Sequence, residues 1–443
     1  MPRISRFALL ALTLLAGCST DSRVADELTT FNEAQQHGTA QLILLNILRA
    51  RDRQPLAYSH FEVMRGGLSG SSSVGLGLPF GPGAGSVSTS SLAAALGASP
   101  GLSQDVKPQD DQDFYRGILT PVSAETWALY QDQNWAPDLL FHMFVEYIKL
   151  SRSDFDAIFE STGELCRAHA DIADVSAGCA DLARKSAGIA ALPNCAPDAY
   201  LAGGKPVLKL LNDPGDRCRQ LQYDALTAAM TILGFHIAQV TTKTDLGPPM
   251  PASAFREPRW PFSIKDSNVE VARSGADYRF RSVSKTFAVS LSNLPCADAA
   301  NIAVAATSEI GAQIEASKDG VESATRSCQN ARRFEIGITT RSPDGMLYYM
   351  GEVARAALPA DPGREPQIVT LRGDHGEPEA LMALERGEAD DAAVRVTYRG
   401  ETFSVPHRGE HITMQAFELL AQVFALYNRA STTPSTAAVT VVP

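Results

Sequence analysis

The chain has 443 residues, enough for two or three domains, and a 44% hydrophobic content that can build sizeable cores. Its formal charge of −11, without clusters of Lys or Arg, excludes the electrostatic footprint of a nucleic-acid binder. The same charge opposes attachment to anionic headgroups by electrostatics alone.

Taken in chain order, the first residues read as an export signal. Arg3 and Arg6 form a basic start, and Phe7 to Leu15 is an apolar run too short to span a bilayer stably. Leu15-Ala16-Gly17-Cys18 resembles the bacterial lipobox, in which the Cys becomes the acylated first residue of the mature chain. Residues 1–17 are therefore expected to be a signal peptide and Cys18 the lipidation site. Removing Arg3 and Arg6 with the signal takes the charge from −11 to −13. Several acyl chains on one residue bury enough methylenes to hold a soluble domain on a membrane. Ser19, rather than Asp, follows the Cys. The sorting rule that this resembles implies the outer membrane, with the folded part facing the periplasm or the surface.

Residues 18–55 read as an amphipathic helix. Val24, Leu28 and Phe31 fall at helical spacing, as do Ala40, Leu44 and Ile47, and Leu42, Leu45 and Leu48 widen the apolar face. Arg49, Arg51 and Arg53 suit its C-terminal dipole. Pro55 ends it, and Gly38 is a candidate break.

Residues 56–108 are expected to be a Gly/Ser-rich hairpin or loop. From Gly66 to Gln104 there is no Asp, Glu, Lys or Arg. Leu68, Val74, Leu76, Leu78 and Phe80 all fall on even positions, and Gly or Ser fills the odd ones from 67 to 77. That period of two gives one apolar face and one small polar face. Pro79, Gly81, Pro82, Gly83 and Gly85 supply a wide turn. The return half needs a bulge near Ser90-Ser91 to keep one face continuous. Three readings stand: a Gly/Ser linker, a hairpin packed on a sheet or a neighbouring subunit, and a membrane-inserting hairpin. The last has the length and lack of charge that a transmembrane strand needs. Two strands alone would expose unpaired backbone to lipid, so insertion requires several copies to close a barrel.

Residues 109–245 read as a helical domain. Phe114, Ile118 and Leu119 begin one helix, Pro121 breaks it, and Ser123 caps the next. Leu139–Leu150 and Leu221–Val240 read as apolar helices. Between them, Phe155–Leu211 is an Ala-rich insertion holding three cysteines, with Cys218 just beyond it. Residues 246–261 are a Pro-rich linker. Beyond it, 262–443 reads as a two-layer α+β domain. Phe287, Val289 and Leu291 alternate, as do Phe334, Ile336 and Ile338. Ser342-Pro343-Asp344 starts a helix. Val394, Val396 and Tyr398 turn at Gly400 into Phe403 and Val405. His411–Arg429 is a helix and Ala438–Val442 a last strand. The overall class is α+β, with a helical N-terminal region and the Gly/Ser-rich hairpin preceding the C-terminal domain.

Apart from Cys18, the cysteines are Cys166, Cys179, Cys195, Cys218, Cys296 and Cys328. An even number in an exported chain suggests three disulfides. Pairing neighbours in sequence (166–179, 195–218, 296–328) closes the shortest loops. No CxxC spacing points to zinc, and no metal or cofactor is expected.

Catalytic signals are weak. Gly97-Ala98-Ser99-Pro100-Gly101 fits the G-x-S-x-G pattern, but Pro100 and the Gly/Ser surroundings oppose the strand–turn–helix that this motif needs. His407 and His411 flank Glu410, with His375 upstream, but Pro406 and Gly409 make this a helix entrance. His142 and His236 read as core histidines on apolar helices.

Five segments carry a resemblance: the lipobox, "NILRARDRQPLAYS", "QDFYRGILTPVS", "RSPDGMLYYMGEVAR" and "YRGETFSVP…FELLAQVFALYN". Together they resemble a family of uncharacterised proteobacterial outer-membrane lipoproteins over most of the chain outside the Cys-bearing insertion. The resemblance implies a lipoprotein and supplies no active site. The expectation is a non-enzymatic, lipid-anchored outer-membrane structural protein. It would be an oligomeric subunit of an envelope assembly or pore, whose partners are the membrane, other envelope proteins or copies of itself, with no nucleic acid. The alternative is a monomeric periplasmic binding or adaptor lipoprotein with no membrane-inserted segment.

Overall fold

A computed structural model gives the chain a mixed architecture of helices and antiparallel sheets. It describes residues 29, 32–67, 101–108, 112–202, 205–245, 247–251, 269–274, 277–293, 302–307, 313–317, 334, 336–361, 363–373, 377–407 and 410–427. Cys18, Cys296, Cys328, Ser99, the alternating residues Leu68, Val74, Leu76, Leu78 and Phe80, and the strand expected at Ala438–Val442 lie outside the described residues.

Residues 32–51 form helix α1, running through Gly38 without a break. Its apolar stripe of Ala40, Leu44, Ile47 and Leu48 is buried. Strands β1 (Ser59–Gly67) and β2 (Gly101–Pro108) follow. Next come α2 (Gln112–Ile118), α3 (Ala124–Asp132) and α4 (Pro137–Phe144), then β3 (Val145–Ser151). Helices α5 (Arg152–Ala168) and α6 (Ala173–Ala190) lead to β4 (Asp198–Ala202) and β5 (Lys205–Leu211). Helix α7 (Arg217–Ile232) precedes β6 (Phe235–Asp245), β7 (Met250–Pro251), β8 (Val269–Ser274) and β9 (Asp277–Leu291). Then come β10 (Ile302–Thr307), β11 (Gln313–Ser317), β12 (Ile336–Thr340) and α8 (Pro343–Ala357). The short strands β13 (Thr370–Arg372), β14 (Pro378–Ala380) and β15 (Glu385–Arg386) follow, then β16 (Ala392–Tyr398), β17 (Glu401–Pro406) and α9 (Glu410–Tyr427).

Among the described residues the largest sheet has ten strands. Its main path runs β4-β5-β3-β12-β11-β10-β9-β6, and β7 and β8 also pair with β9. Strands from before and after the Pro-rich stretch therefore share one sheet, through the antiparallel β3–β12 pair. Its apolar face presents Ile148, Leu150, Leu208, Leu210, Ile336, Ile338, Val289 and Leu291, all buried. Trp127 of α3 is buried beside Phe141 of α4 and Phe235 of β6, with centroids 5.3 and 5.5 Å away.

Two stretches read as single helices each divide into a helix and a strand. Leu139–Leu150 is α4 up to Phe144 and strand from Val145, where burial begins to alternate. The switch is fixed from elsewhere in the chain. The last carbonyls of a helix lack intrahelical donors, and here the buried Arg341 supplies them. Its guanidinium donates to the carbonyls of His142 (2.9 Å), Val145 and Asn212 (3.1 Å), and its own amide donates to that of Phe144 (2.7 Å). Asn212 Nδ2 also reaches the His142 and Val145 carbonyls at 2.9 and 3.0 Å. The second stretch, Leu221–Val240, is α7 followed by β6. Gly234, at φ +74°, makes the left-handed turn between them that glycine adopts without strain. His236 consequently stands exposed on a strand instead of buried on a helix. The region 109–245, read as helical, thus contributes β3, β4, β5 and β6 to the sheet.

Two helix caps and one tight turn agree with their local signals. Ser123 and Ser342 cap α3 and α8, accepting from the amides of Thr126 and Gly345 at 3.1 Å each. Arg399 and Gly400 take positive φ values of 52° and 83° in the tight turn that joins β16 to β17.

Candidate functional site

Strands β1 and β2 pair antiparallel from Ser59↔Pro108 to Gly67↔Gly101, with a bulge between Phe61 and Val63. The uncharged tract therefore issues from the open end of a paired ribbon. The charged residues of the ribbon, Glu62, Arg65, Asp105 and Lys107, all lie within its described base.

Both ends of this ribbon are fixed to one junction. Asn46 of α1 brackets the approach, donating to the Ala57 carbonyl at 2.9 Å and accepting from the Ala57 amide at 3.0 Å. One residue before β1, the Tyr58 hydroxyl donates to Asp344 Oδ1 at the start of α8. The Tyr58 ring packs at 5.2 Å on Phe114 of α2, the first described element after β2, and at 5.6 Å on Phe424 of α9. Burial, reinforced by the Asp344 contact, raises the Tyr58 hydroxyl well above its ordinary pKa, so it remains a neutral donor. Burial also raises the Asp344 carboxyl, and the Tyr58 hydrogen bond opposes that rise.

Helix α8 holds α1 on the same side. Gly351 lets it approach the Ala50–Arg51 backbone. Glu352 accepts from Arg53 and from Arg355 (2.9 Å), and Arg355 also donates to the Arg51 carbonyl. The Arg51 guanidinium lies 4.8 Å from the Phe403 ring centroid and pairs with Asp52 at 2.8 Å. At the far end of α9, the Tyr427 hydroxyl accepts from the Ser123 amide at 2.9 Å. Four of the five sequence segments singled out by resemblance thus meet around the hairpin base. The fifth, the lipobox, lies outside the described residues.

Other expected residues fall apart from this junction. Cys166–Cys179 and Cys195–Cys218 are disulfide-bonded, with Cα separations of 5.9 and 5.5 Å. They tie α5 to α6 and the approach to β4 to the start of α7. His407 faces Asp391 at 3.6 Å, and His411 lies 3.2 Å from Gln415. Both border a groove of about 1260 Å³ between α1 and α9. His142 is buried, its ring nitrogens 2.7 Å from the Asp138 carbonyl and 3.0 Å from Asp224.

The sequence reading missed a buried charge cluster. Lys185 lies 2.6 Å from Asp181, and both are buried. Burial pulls the Lys185 ammonium down, but Asp224, Asp138 and Asp181 together outweigh it and hold its pKa above the ordinary value. The signal was the i, i+4 spacing of Asp181 and Lys185 on one helix, a pattern far more common on solvated faces. Among the described residues no three His, Cys, Asp or Glu side chains come together as a metal site. Among the same residues no helix is long and apolar enough to cross a membrane. The chain matches no known family model, no curated protein and no solved structure.

Proposed function

We propose that the chain is a lipid-anchored outer-membrane structural protein, working as an oligomeric subunit of an envelope assembly or pore. Cys18 would carry the lipid. The ribbon between Ser59 and Pro108 would present the uncharged tract to the membrane or to neighbouring copies. The two-layer C-terminal region would supply rigid contacts between subunits. We ascribe to it no enzymatic activity, cofactor or nucleic-acid partner.

The observation that carries this reading is the β1–β2 pairing on both sides of the tract, pinned at Tyr58. A passive linker needs neither paired flanks nor a dedicated anchor. Charges stay in the base, and none occurs from Gly66 to Gln104, which suits a tip that leaves water. One such ribbon would expose unpaired backbone, so the tips of several copies must join.

The test is the size of the particle extracted in mild detergent. A multisubunit particle that falls to monomers when residues 68–100 are deleted supports the reading. A monomeric native particle removes it in favour of a monomeric periplasmic adaptor. Cys18→Ser should release the protein from the membrane fraction, and retention there would contradict lipid anchoring.

A further inference from the structure

The large sheet has a second face, opposite the apolar one that the described core covers. Along β3 and β5 the residues Ile148, Leu150, Leu208 and Leu210 are buried, whereas Tyr147, Lys149 and Lys209 stand half-buried on the opposite side. Lys149 and Lys209 are direct cross-strand partners. Like charges in that position repel and destabilise the pair. Among the described residues neither lysine has a carboxylate partner. Instead both ammoniums lie over Tyr147, 5.0 and 4.1 Å from its ring centroid, and Lys149 is also 5.9 Å from that of Tyr200. Asp198, the partner of Lys209 on the β4 side, turns to Arg219 at 3.3 Å, a guanidinium that it shares with Asp213 (3.4 Å) and Asp216 (3.7 Å). On the other flank of Lys149 stands Gly337, which has no side chain to cover it. Tyr200 is 40% exposed.

Two unneutralised cations held side by side beside an open aromatic ring form a receptor for something anionic with an apolar flat face. We infer that this face binds an anionic glycan, its carboxylates pairing with Lys149 and Lys209 and a sugar ring stacking on Tyr200. The lysines, already oriented by Tyr147, would gain charge-assisted hydrogen bonds, and the bound anion would relieve their mutual repulsion. A chain of net charge −11 is repelled by polyanions over most of its surface, so recognition has to concentrate where the local sign is reversed. The identity of the glycan rests on the export reading above: in the periplasm it is the cell-wall polymer, sugar strands bearing carboxylate-rich peptides.

The experiment is co-sedimentation of the detergent-extracted full chain with purified cell-wall sacculi. Wild type should pellet. The double variant Lys149→Gln/Lys209→Gln should lose about ten-fold in affinity, the loss of two charge-assisted contacts. Tyr200→Ala should lose several-fold, and salt should weaken wild type more than the double variant. Thermal unfolding of each variant checks that it remains folded. Failure of wild type to pellet, or equal pelleting by the folded double variant, overturns the inference. Displacement by inorganic phosphate as readily as by soluble sacculus fragments would mean a simple anion site and would overturn the glycan assignment. Particle size of the same preparations reports separately on the assembly reading, since an oligomer that ignores sacculi removes only this inference.

Discussion

Gly351 of α8 lies directly against Ala50 of α1: a Cβ at position 351 would stand 2.7 Å from the Ala50 Cβ and 2.7 Å from the Arg51 amide nitrogen. Two effects compete when Gly351 is replaced by Ala. Helix propensity favours the change by about 1 kcal/mol. Overpacking opposes it by ~1–3 kcal/mol, and the obstruction here includes main chain that cannot rotate away. Steric cost should win, lowering the thermal midpoint by several degrees. It should also loosen the Arg53–Glu352–Arg355 contacts at the hairpin junction. A midpoint that stays level or rises would show that the α1–α8 approach is looser than described.

Arg341 offers the second prediction. It is 8% exposed, stacks 4.0 Å from the Tyr349 ring centroid, and serves carbonyls at the α4–β3 switch. Burial lowers its pKa, and the removal of so many donors would leave the carbonyls of buried residues without partners. Arg341→Met should destabilise by about 3 kcal/mol, because the Asn212 carbonyl then has no donor and the His142 and Val145 carbonyls keep only Asn212 Nδ2. Arg341→Lys should fare little better, since one ammonium cannot reproduce a planar fork that reaches three carbonyls. Denaturant midpoints decide this. A Met variant as stable as wild type would mean that Asn212 alone satisfies the switch.

These contacts explain what was legible in the sequence and what was not. Signals confined to a few neighbouring residues read correctly: the Ser123 and Ser342 caps, the Arg399-Gly400 turn, and the buried stripe of α1. The α4–β3 switch did not, because its determinant, Arg341, lies nearly two hundred residues away. Leu139–Phe144 is a mostly apolar run that a buried helix or a buried strand could equally hold, and the alternation that marks β3, with Glu146 exposed and Lys149 half-buried, is too short to place the switch by periodicity alone. The end of α7 was legible in principle through Gly234, but an isolated glycine in an apolar run is an ambiguous stop. The junction was visible only as separate segments. Their convergence depends on helix packing that brings residues 46–58, 114, 341–355, 403 and 424–427 together, and no local pattern encodes that. The pairing of β1 with β2 also surpasses the sequence reading, whose alternation began only at Leu68.

The disulfides give a third prediction. Cys166–Cys179 and Cys195–Cys218 close sequence separations of 13 and 23 residues. In the loop-entropy account each contributes about 3 kcal/mol by restricting the unfolded chain. Cys195→Ser/Cys218→Ser should lower stability by about that amount. Hydrogen exchange should accelerate first in β4, the edge strand nearest the lost bridge, before the buried β3 changes. Peptide mapping without reductant should recover both pairs. Recovery of a 166–195 or 179–218 peptide would overturn the pairing.

Tyr58→Phe tests the anchor of the hairpin itself, and its effect depends on pH in a definite direction. In the fold, burial holds the Asp344 carboxyl above its ordinary pKa of about 4. A carboxyl raised by folding binds more protons in the native state, so stability declines as pH rises from that unfolded value through the folded one. The Tyr58 hydroxyl limits this decline by donating to the carboxylate. Phe removes the donor, raises Asp344 further and deepens the decline. The variant should therefore be less stable than wild type by ~1–2 kcal/mol at neutral pH. That gap should close as pH falls toward about 4, where the carboxyl is protonated in both proteins. Limited proteolysis within residues 59–67 should follow the same trend, faster in the variant at pH 7 and converging in acid. A deficit that is constant across pH would place the role of Tyr58 in its ring packing against Phe114 and Phe424, and a deficit that grows in acid would reverse the assignment of Asp344 as the acceptor.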